Sequence, residues 1–125
     1  MASHWLSTVI DARDHRRLAR WWAEVLDYRI VHESDHATFI ADRSFPDLIV
    51  DGDDRFFNGP FTSPGLLFMA STESKAGKNR VHIDLNPHDQ DAEVERLVDM
   101  GARHVDIGQR GVRWVVLADP EGNEF

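Results

Sequence analysis

The most regular alternation of polar and apolar residues in the chain lies just past its middle, at residues 78–85. From residue 80 onward the two kinds alternate, which is typical of a β-strand with two unlike faces. The apolar members are predicted to face a hydrophobic layer: Val81, Ile83 and Leu85. The polar members are predicted to face the other side, about 7 Å apart along the strand: Arg80, His82 and Asp84. A strand face with a cation, an imidazole and a carboxylate either meets water or lines a site.

Two other segments have apolar residues spaced by three and four, which predicts amphipathic helices. Asp14 and Asp89 precede them and are residue types that favour the N-cap. The first apolar stripe is Leu18, Ala19, Trp21, Trp22, Val25 and Leu26. The second is Ala92, Val94, Leu97, Val98 and Met100. Gly101 follows the second stripe directly and is a natural helix stop.

Strands are predicted elsewhere from β-branched and aromatic residues between turn signals: residues 5–11, 28–33, 37–42, 66–70, 104–107 and 112–118. Asp119-Pro120-Glu121-Gly122 predicts a turn before a short last strand. Proline, glycine and aspartate punctuate residues 43–65, which predicts a loop that covers something apolar, with a possible short strand at 48–50.

The two halves of the chain repeat the same pattern. Asp14 maps to Asp89 and Phe39 maps to Trp114, an offset of 75 residues in both cases. A constant offset over strand, helix and hairpin favours an internal duplication over chance. The sequence therefore predicts one domain of two βαβββ modules, at residues 4–70 and 79–125, joined by a linker at 71–78.

Three stretches carry a family resemblance: Leu67-Phe68, residues 78–85, and residues 114–125 with the Asp-Pro-Glu-Gly-Asn turn. Together with the paired modules they resemble the vicinal oxygen chelate superfamily, which includes glyoxalase I, extradiol dioxygenases and bleomycin-resistance proteins, and within it the glyoxalase-like domain proteins. The resemblance implies an α+β fold in which the modules form a cup-shaped curved sheet with helices packed outside. It also implies a homodimer, which the short last strand favours because a sheet edge needs cover.

The resemblance further implies a divalent metal held by residues on the first and last strands of each module. On this chain those positions fall at Ser7, residues 65–71, His82 and the last strand, where Glu124 is the candidate. A serine hydroxyl is a poor ligand, and residues 65–71 contain no carboxylate, imidazole or amide side chain. His82 and Glu124 alone make an incomplete set, so the chain is predicted to have no cofactor, with a divalent metal as the alternative.

Without a metal, His82 and Asp84 are the candidate catalytic pair, because a carboxylate beside an imidazole can fix its tautomer and raise its basicity. The alternative is a buried polar network in which Arg80 pairs with Asp84 and His82 has a structural role. The other histidines are predicted to be exposed: His4, His15, His32, His36, His88 and His104.

Aromatic residues on the predicted strands indicate a ligand pocket. The predicted substrate contacts are Trp5, Ser7, Phe39, Arg80 and Trp114. Trp21 and Trp22 belong to the stripe of the first helix and are predicted to be core residues.

Composition narrows the function classes. Hydrophobic residues make up 42% and charged residues 29%, as in ordinary globular proteins. The net charge of −8 argues against nucleic acid or an anionic membrane surface as a partner. The chain has no cysteine, no apolar run near the length of a membrane helix and no visible signal peptide, so we expect a cytoplasmic location.

The leading hypothesis is a protein that binds a small molecule in its cup without the standard metal site. One alternative is a metal-dependent lyase, isomerase or dioxygenase of the same superfamily. The other is an antibiotic-sequestering protein of the bleomycin-resistance type, since negative charge and strand tryptophans would suit a cationic aromatic ligand.

Overall fold

The computed structural model describes residues 5–51, 54–57, 59, 61, 63–79, 81–85 and 87–125. The chain divides into two compact units, Met1–Glu73 and Ser74–Phe125. Within the described residues, no helix is long and apolar enough to cross a membrane.

The first unit is a helix packed on a four-stranded sheet. Its elements are β1 (Ser7–Ala12), α1 (His15–Leu26), β2 (Arg29–Glu33), β3 (Ala37–Ala41), β4 (Leu48–Asp51), β5 (Asp54–Phe57) and β6 (Gly65–Ala70). The sheet has the order β1-β6-β3-β2, with β1 parallel to β6 and the other pairs antiparallel. One strand before α1 and three of the five strands after it form this sheet, and the predicted α+β class is confirmed.

The region between β3 and β6 is more regular than the turn-rich sequence predicts. β4 and β5 form an antiparallel hairpin of their own, which includes the predicted short strand but also residues predicted to lie in a loop. Phe61 folds back over apolar residues as predicted, with its ring 4.8 Å from that of Phe45. Phe45 in turn packs edge-on against Phe39, with ring centroids 5.4 Å apart.

Helix α1 forms where the sequence predicts it because both of its signals are local. The Asp14 carboxylate accepts a hydrogen bond from the Arg17 backbone N–H at 3.1 Å, which satisfies a free donor of the first turn. The helix ends at Asp27, which adopts the left-handed conformation (φ 53°) and donates its N–H to Ala23. The buried members of its stripe are Leu18, Ala19, Trp21 and Trp22.

His15 is buried, and the prediction that it is exposed is wrong. Only 5% of its surface is accessible. Its Nδ1 lies 2.8 Å from the Thr38 hydroxyl, and its Nε2 lies 3.2 Å from the Asp35 carbonyl oxygen. Thr38 donates to Glu33 at 3.3 Å, and Arg20 donates to the same carboxylate at 2.6 Å. The turn between β2 and β3 covers the start of α1, which helical periodicity alone does not reveal.

The second unit contains α2 (Gln90–Asp99), β7 (Arg103–His104) and β8 (Leu117–Ala118). Asp89 caps α2 by accepting from the Ala92 N–H at 3.1 Å, and Gly101 follows the helix with a φ of 109°, both as predicted. β7 pairs antiparallel with β8. Beyond β8 the chain turns back, so that Leu117 and Phe125 exchange backbone hydrogen bonds of 2.9 and 2.8 Å.

The turn at residues 119–122 is confirmed. The Asp119 side chain is fully buried and accepts from the backbone N–H groups of Glu121 and Asn123, both at 2.9 Å. Gly122 has a φ of 89°, a conformation that favours glycine. This turn aims the last residues of the chain back along β8.

The strand predicted at residues 78–85 is not present in the described part of that segment, residues 78–79 and 81–85. Val81 is 75% exposed and therefore does not face a hydrophobic layer. Alternation determines which side chains could share a face, but a strand forms only when a neighbouring backbone supplies hydrogen bonds. The predicted strands at 104–107 and 112–118 are likewise reduced to β7 and β8.

Candidate functional site

A cavity of about 580 Å³ lies within the second unit. Its lining comes from α2, from residues 114–117 and from the last two residues of the chain, together with Lys78, Asn79, His82, Asp84, Leu85, Pro87 and Ile107. Its volume falls within the range of about 300–1,000 Å³ that is usual for small-molecule sites. The size of the cavity therefore suits a compact organic ligand.

The inner wall of the cavity is apolar and buried. Leu97 of α2 and Leu117 of β8 are each 3% exposed, and Val116 is 8% exposed. Three other lining residues remain open to solvent: Ile107 at 39%, Trp114 at 63% and Val115 at 38%. Large apolar side chains left exposed beside a cavity are surface that a ligand can cover.

His82 and Asp84 both line the cavity and are in contact. His82 Nε2 lies 3.3 Å from Asp84 Oδ1, with side-chain exposures of 56% and 89%. They meet because the segment is not a strand, in which same-face neighbours lie about 7 Å apart. At these exposures the pair is not the buried network considered as the alternative. The contact orients the ring, whereas an exposed ion pair contributes little to stability.

Glu124 also lines the cavity, and both of its carboxylate oxygens have partners. Oε1 lies 2.9 Å from Lys75 Nζ, and Oε2 accepts the Asn79 backbone N–H at 3.1 Å. Lys75 also donates to the Gly77 carbonyl oxygen. Burial acts to raise the pKa of Glu124, but the hydrogen bonds from Lys75 and Asn79 and the lysine charge outweigh it, so that pKa is lowered. The carboxylate is ionised and already has a cation.

The other predicted contact residues lie elsewhere. Trp5 is 67% exposed and donates its indole N–H to the Ser7 carbonyl oxygen at 3.1 Å. Ser7 begins β1 opposite Gly65 of β6. Phe39 is 6% exposed and belongs to a hydrophobic cluster of the first unit. Arg80 lies outside the described residues. The structure thus brings together His82, Asp84, Trp114 and Glu124 around one cavity, and their roles as ligand contacts stay predictions.

Sequence reasoning missed Lys75 and Asn79. Both lie within or beside the segment predicted to be a linker because of its polar composition. Lys75 is 49 residues from Glu124 along the chain, and no periodicity relates such distant positions. The only signal in the sequence was a single lysine in a polar stretch, and that feature is too common to predict a contact with Glu124.

The donor atoms do not fit the metal site that the resemblance implies. Among the described residues, no group of three or more histidine, aspartate or glutamate side chains is placed to hold a metal ion. Of the implied positions, His82 contacts Asp84, and Glu124 is bound to Lys75. β6 supplies no nitrogen or oxygen side-chain ligand.

Comparisons with known proteins agree on one superfamily. A family model described as a glyoxalase-like domain matches residues 7–125. A glyoxalase/bleomycin resistance protein/dioxygenase family enzyme from Burkholderia phytofirmans PsJN aligns with a TM-score of 0.63 and 16% identity, over 95% of this chain and 92% of that one. The fosfomycin resistance protein FosX from Mesorhizobium loti aligns with a TM-score of 0.60 and 21% identity, over 100% and 89%.

The trypanothione-dependent glyoxalase I of Leishmania major aligns with a TM-score of 0.58 and 17% identity, over 98% of this chain and 84% of that one. No curated protein matches the sequence. At these identities the solved structures show a shared fold and leave the chemistry open. The predicted superfamily is confirmed.

Proposed function

Because the chain belongs to the glyoxalase-like domain family of the vicinal oxygen chelate superfamily, we propose that it binds a small molecule in the cavity of its second unit without a metal ion. The observation that carries the proposal is the cavity of about 580 Å³ with a buried apolar wall and exposed apolar residues beside it. Apolar surface supplies affinity in such sites, and a few polar groups fix orientation.

Trp114 is the main predicted source of affinity. A tryptophan side chain buries roughly 200 Å² when fully covered, so a ligand could cover about 120 Å² of this half-exposed one. At about 25 cal/mol per Å² that area contributes at most about 3 kcal/mol, or roughly 100-fold in affinity. Replacing Trp114 with alanine should therefore weaken binding by about 10- to 100-fold.

His82 and Asp84 are the proposed acid–base pair for a bound molecule. Asp84 contacts Nε2 and so favours the tautomer that carries its proton there, which leaves Nδ1 as an acceptor. A base positioned in this way contributes about 10²- to 10⁴-fold to a proton transfer. As a base, His82 would therefore take a proton from the bound molecule at Nδ1.

The charges around the cavity do not favour the sequestration of a cationic drug. Glu93 is bound by Arg96 through two hydrogen bonds of 2.9 and 2.7 Å, and Glu124 is bound by Lys75. Two of the acidic lining residues are thus already neutralised by the protein's own cations. The attraction expected from the overall negative charge is therefore weak at the site itself.

The experiment is a fluorescence titration with the neutral apolar probe N-phenyl-1-naphthylamine in buffer containing EDTA. We expect saturable binding that quenches tryptophan emission and that Trp114→Ala weakens by at least about 10-fold. Trp5→Ala is the matched control, because Trp5 is equally exposed but does not line the cavity. Absence of binding, or equal loss in both variants, would contradict the proposal.

Assembly as a homodimer also stays a prediction. Size-exclusion chromatography with light scattering tests it directly, since one chain has a mass of 14.3 kDa. A mass that stays at one chain across the accessible concentration range would remove it.

A further inference from the structure

We propose that the Lys75 ammonium group is a resident cation of Glu124, which takes the place that a divalent metal ion would have at this carboxylate. Removing the ammonium group would turn Glu124 into a cation-binding group. The inference rests on the proposed function in one respect. It assumes that the cavity binds its ligand without a metal ion, and it names the group that takes the place of the ion.

The first observation is that the ion pair is shielded from solvent. The Lys75 side chain is 19% exposed and the Glu124 side chain is 13% exposed, whereas the Arg43–Asp27 pair has exposures of 66% and 81%. Water and salt screen a shielded pair less than an exposed one. The Lys75–Glu124 contact is therefore harder for a dissolved cation to replace than an ordinary surface pair.

The second observation is that both oxygens of the carboxylate are engaged. Lys75 Nζ lies 2.9 Å from Oε1, and the Asn79 N–H lies 3.1 Å from Oε2. A divalent ion binding there would have to displace the ammonium group and leave it without its carboxylate partner. Breaking one half of a shielded pair is costly because it leaves an uncompensated charge.

The third observation is that the backbone and the lysine stem hold the pair in place. Glu124 forms an antiparallel β-bridge with Ala118 of β8, and Phe125 exchanges two backbone hydrogen bonds with Leu117. A Cβ atom at Gly122 would lie 3.8 Å from Lys75 Cδ, so the lysine stem lies against the turn. The ammonium group is therefore positioned by the fold and is not a freely rotating surface group.

Taking the ammonium group away leaves a shielded carboxylate that keeps the Asn79 hydrogen bond but has lost its paired cation. Such a group either takes up a proton or recruits a cation from solution. His82, whose imidazole is a common metal-ligand type, lines the same cavity. The substitution should therefore uncover cation binding that the wild-type chain lacks.

The test is the thermal stability of Lys75→Ala with and without 1 mM Mn²⁺ or Ni²⁺. We expect a melting temperature below that of the wild type, and a rise of about 3 °C or more when the ion is added. The wild type should not respond, and neither should the double variant Lys75→Ala with Glu124→Gln. Lys78→Ala is the matched control, because Lys78 lines the cavity whereas the lysine paired with Glu124 is Lys75.

Two results would overturn the inference. One is a wild-type chain that takes up one equivalent of Mn²⁺ or Ni²⁺ in calorimetry and loses that uptake in Glu124→Gln. The other is a Lys75→Ala chain whose melting temperature is unchanged by either ion. If Lys75→Ala does not fold, Lys75→Gln and the wild-type titration decide the same question. Failure of the proposed function is seen separately, as loss of probe binding in EDTA.

Discussion

Among the described glycines, Gly65 is the one with the least room for an added methyl group. It begins β6, and a Cβ atom there would lie 2.4 Å from Cζ and 2.5 Å from Cε2 of Phe39, and 2.7 Å from the Ile40 carbonyl oxygen. Phe39 and Ile40 are 6% and 0% exposed, so neither has open space to move into. Gly65→Ala therefore overpacks the contact between β6 and β3.

The size of the effect follows from two opposing contributions. Overpacking a close-packed core costs about 1–3 kcal/mol. We place this site above the lower end of that range, because the Ile40 backbone is held by its pairing with Leu66 and cannot move freely away from the added Cβ atom. Alanine in a strand regains about 0.5–1 kcal/mol over glycine. We expect the free energy of unfolding to fall by about 1–2 kcal/mol, or roughly 3–6 °C in melting temperature.

Equilibrium unfolding in urea measures this change, and a second background identifies its cause. Leucine at position 39 lacks the two ring atoms nearest to Gly65, so Gly65→Ala should cost at least about 0.5 kcal/mol less in Phe39→Leu. Phe45→Leu is the matched control, because Phe45 lies in the same cluster and is not among the atoms nearest to that Cβ. A cost below about 0.5 kcal/mol, or an equal cost in all backgrounds, would refute the reasoning.

Two further predictions concern the polar network of the first unit. Thr38→Val keeps the side-chain volume but removes the hydroxyl between His15 and Glu33. Urea unfolding should show that the free energy of unfolding falls by about 1–3 kcal/mol, because the buried imidazole loses a hydrogen-bond partner. A fall of less than about 0.5 kcal/mol would contradict this. The hydrogen bond from Arg20 lowers the pKa of Glu33 in the folded chain. The stability that this ion pair contributes is therefore fully present above the pKa of glutamate in the unfolded chain, about 4.3, and is lost as the pH falls through the lower pKa of the folded chain. The melting-temperature difference between wild type and Arg20→Met should therefore be full at pH 7 and shrink below about pH 4, and a constant difference would exclude this cause.

The elements that the sequence predicts well are those whose signals are local. Asp14 caps α1 through a residue three positions away, and the buried face of that helix follows from spacing alone. Asp119 organises its turn through residues two and four positions away. Such contacts form within a short segment, so the residues of that segment are enough to predict them.

The segment at residues 78–85 shows where this reasoning fails. Its alternation is the most regular in the chain, yet its described residues form no strand and Val81 is exposed. Strand pairing depends on backbone groups that come from elsewhere in the chain, which a pattern of side chains does not encode. The burial of His15 has the same origin, because the partner that covers it is a turn 20 residues away.

Glu124 shows how far a ligand position can be interpreted from sequence. The resemblance places a candidate metal ligand on the last strand, and the structure does put that carboxylate beside a cavity. What a carboxylate does there depends on the cation that reaches it, since an ammonium group and a divalent ion satisfy the same oxygens. The cation on this chain is Lys75, from a stretch with no motif of its own. Because an ammonium group already binds this carboxylate, its position along the sequence does not by itself identify it as a metal ligand.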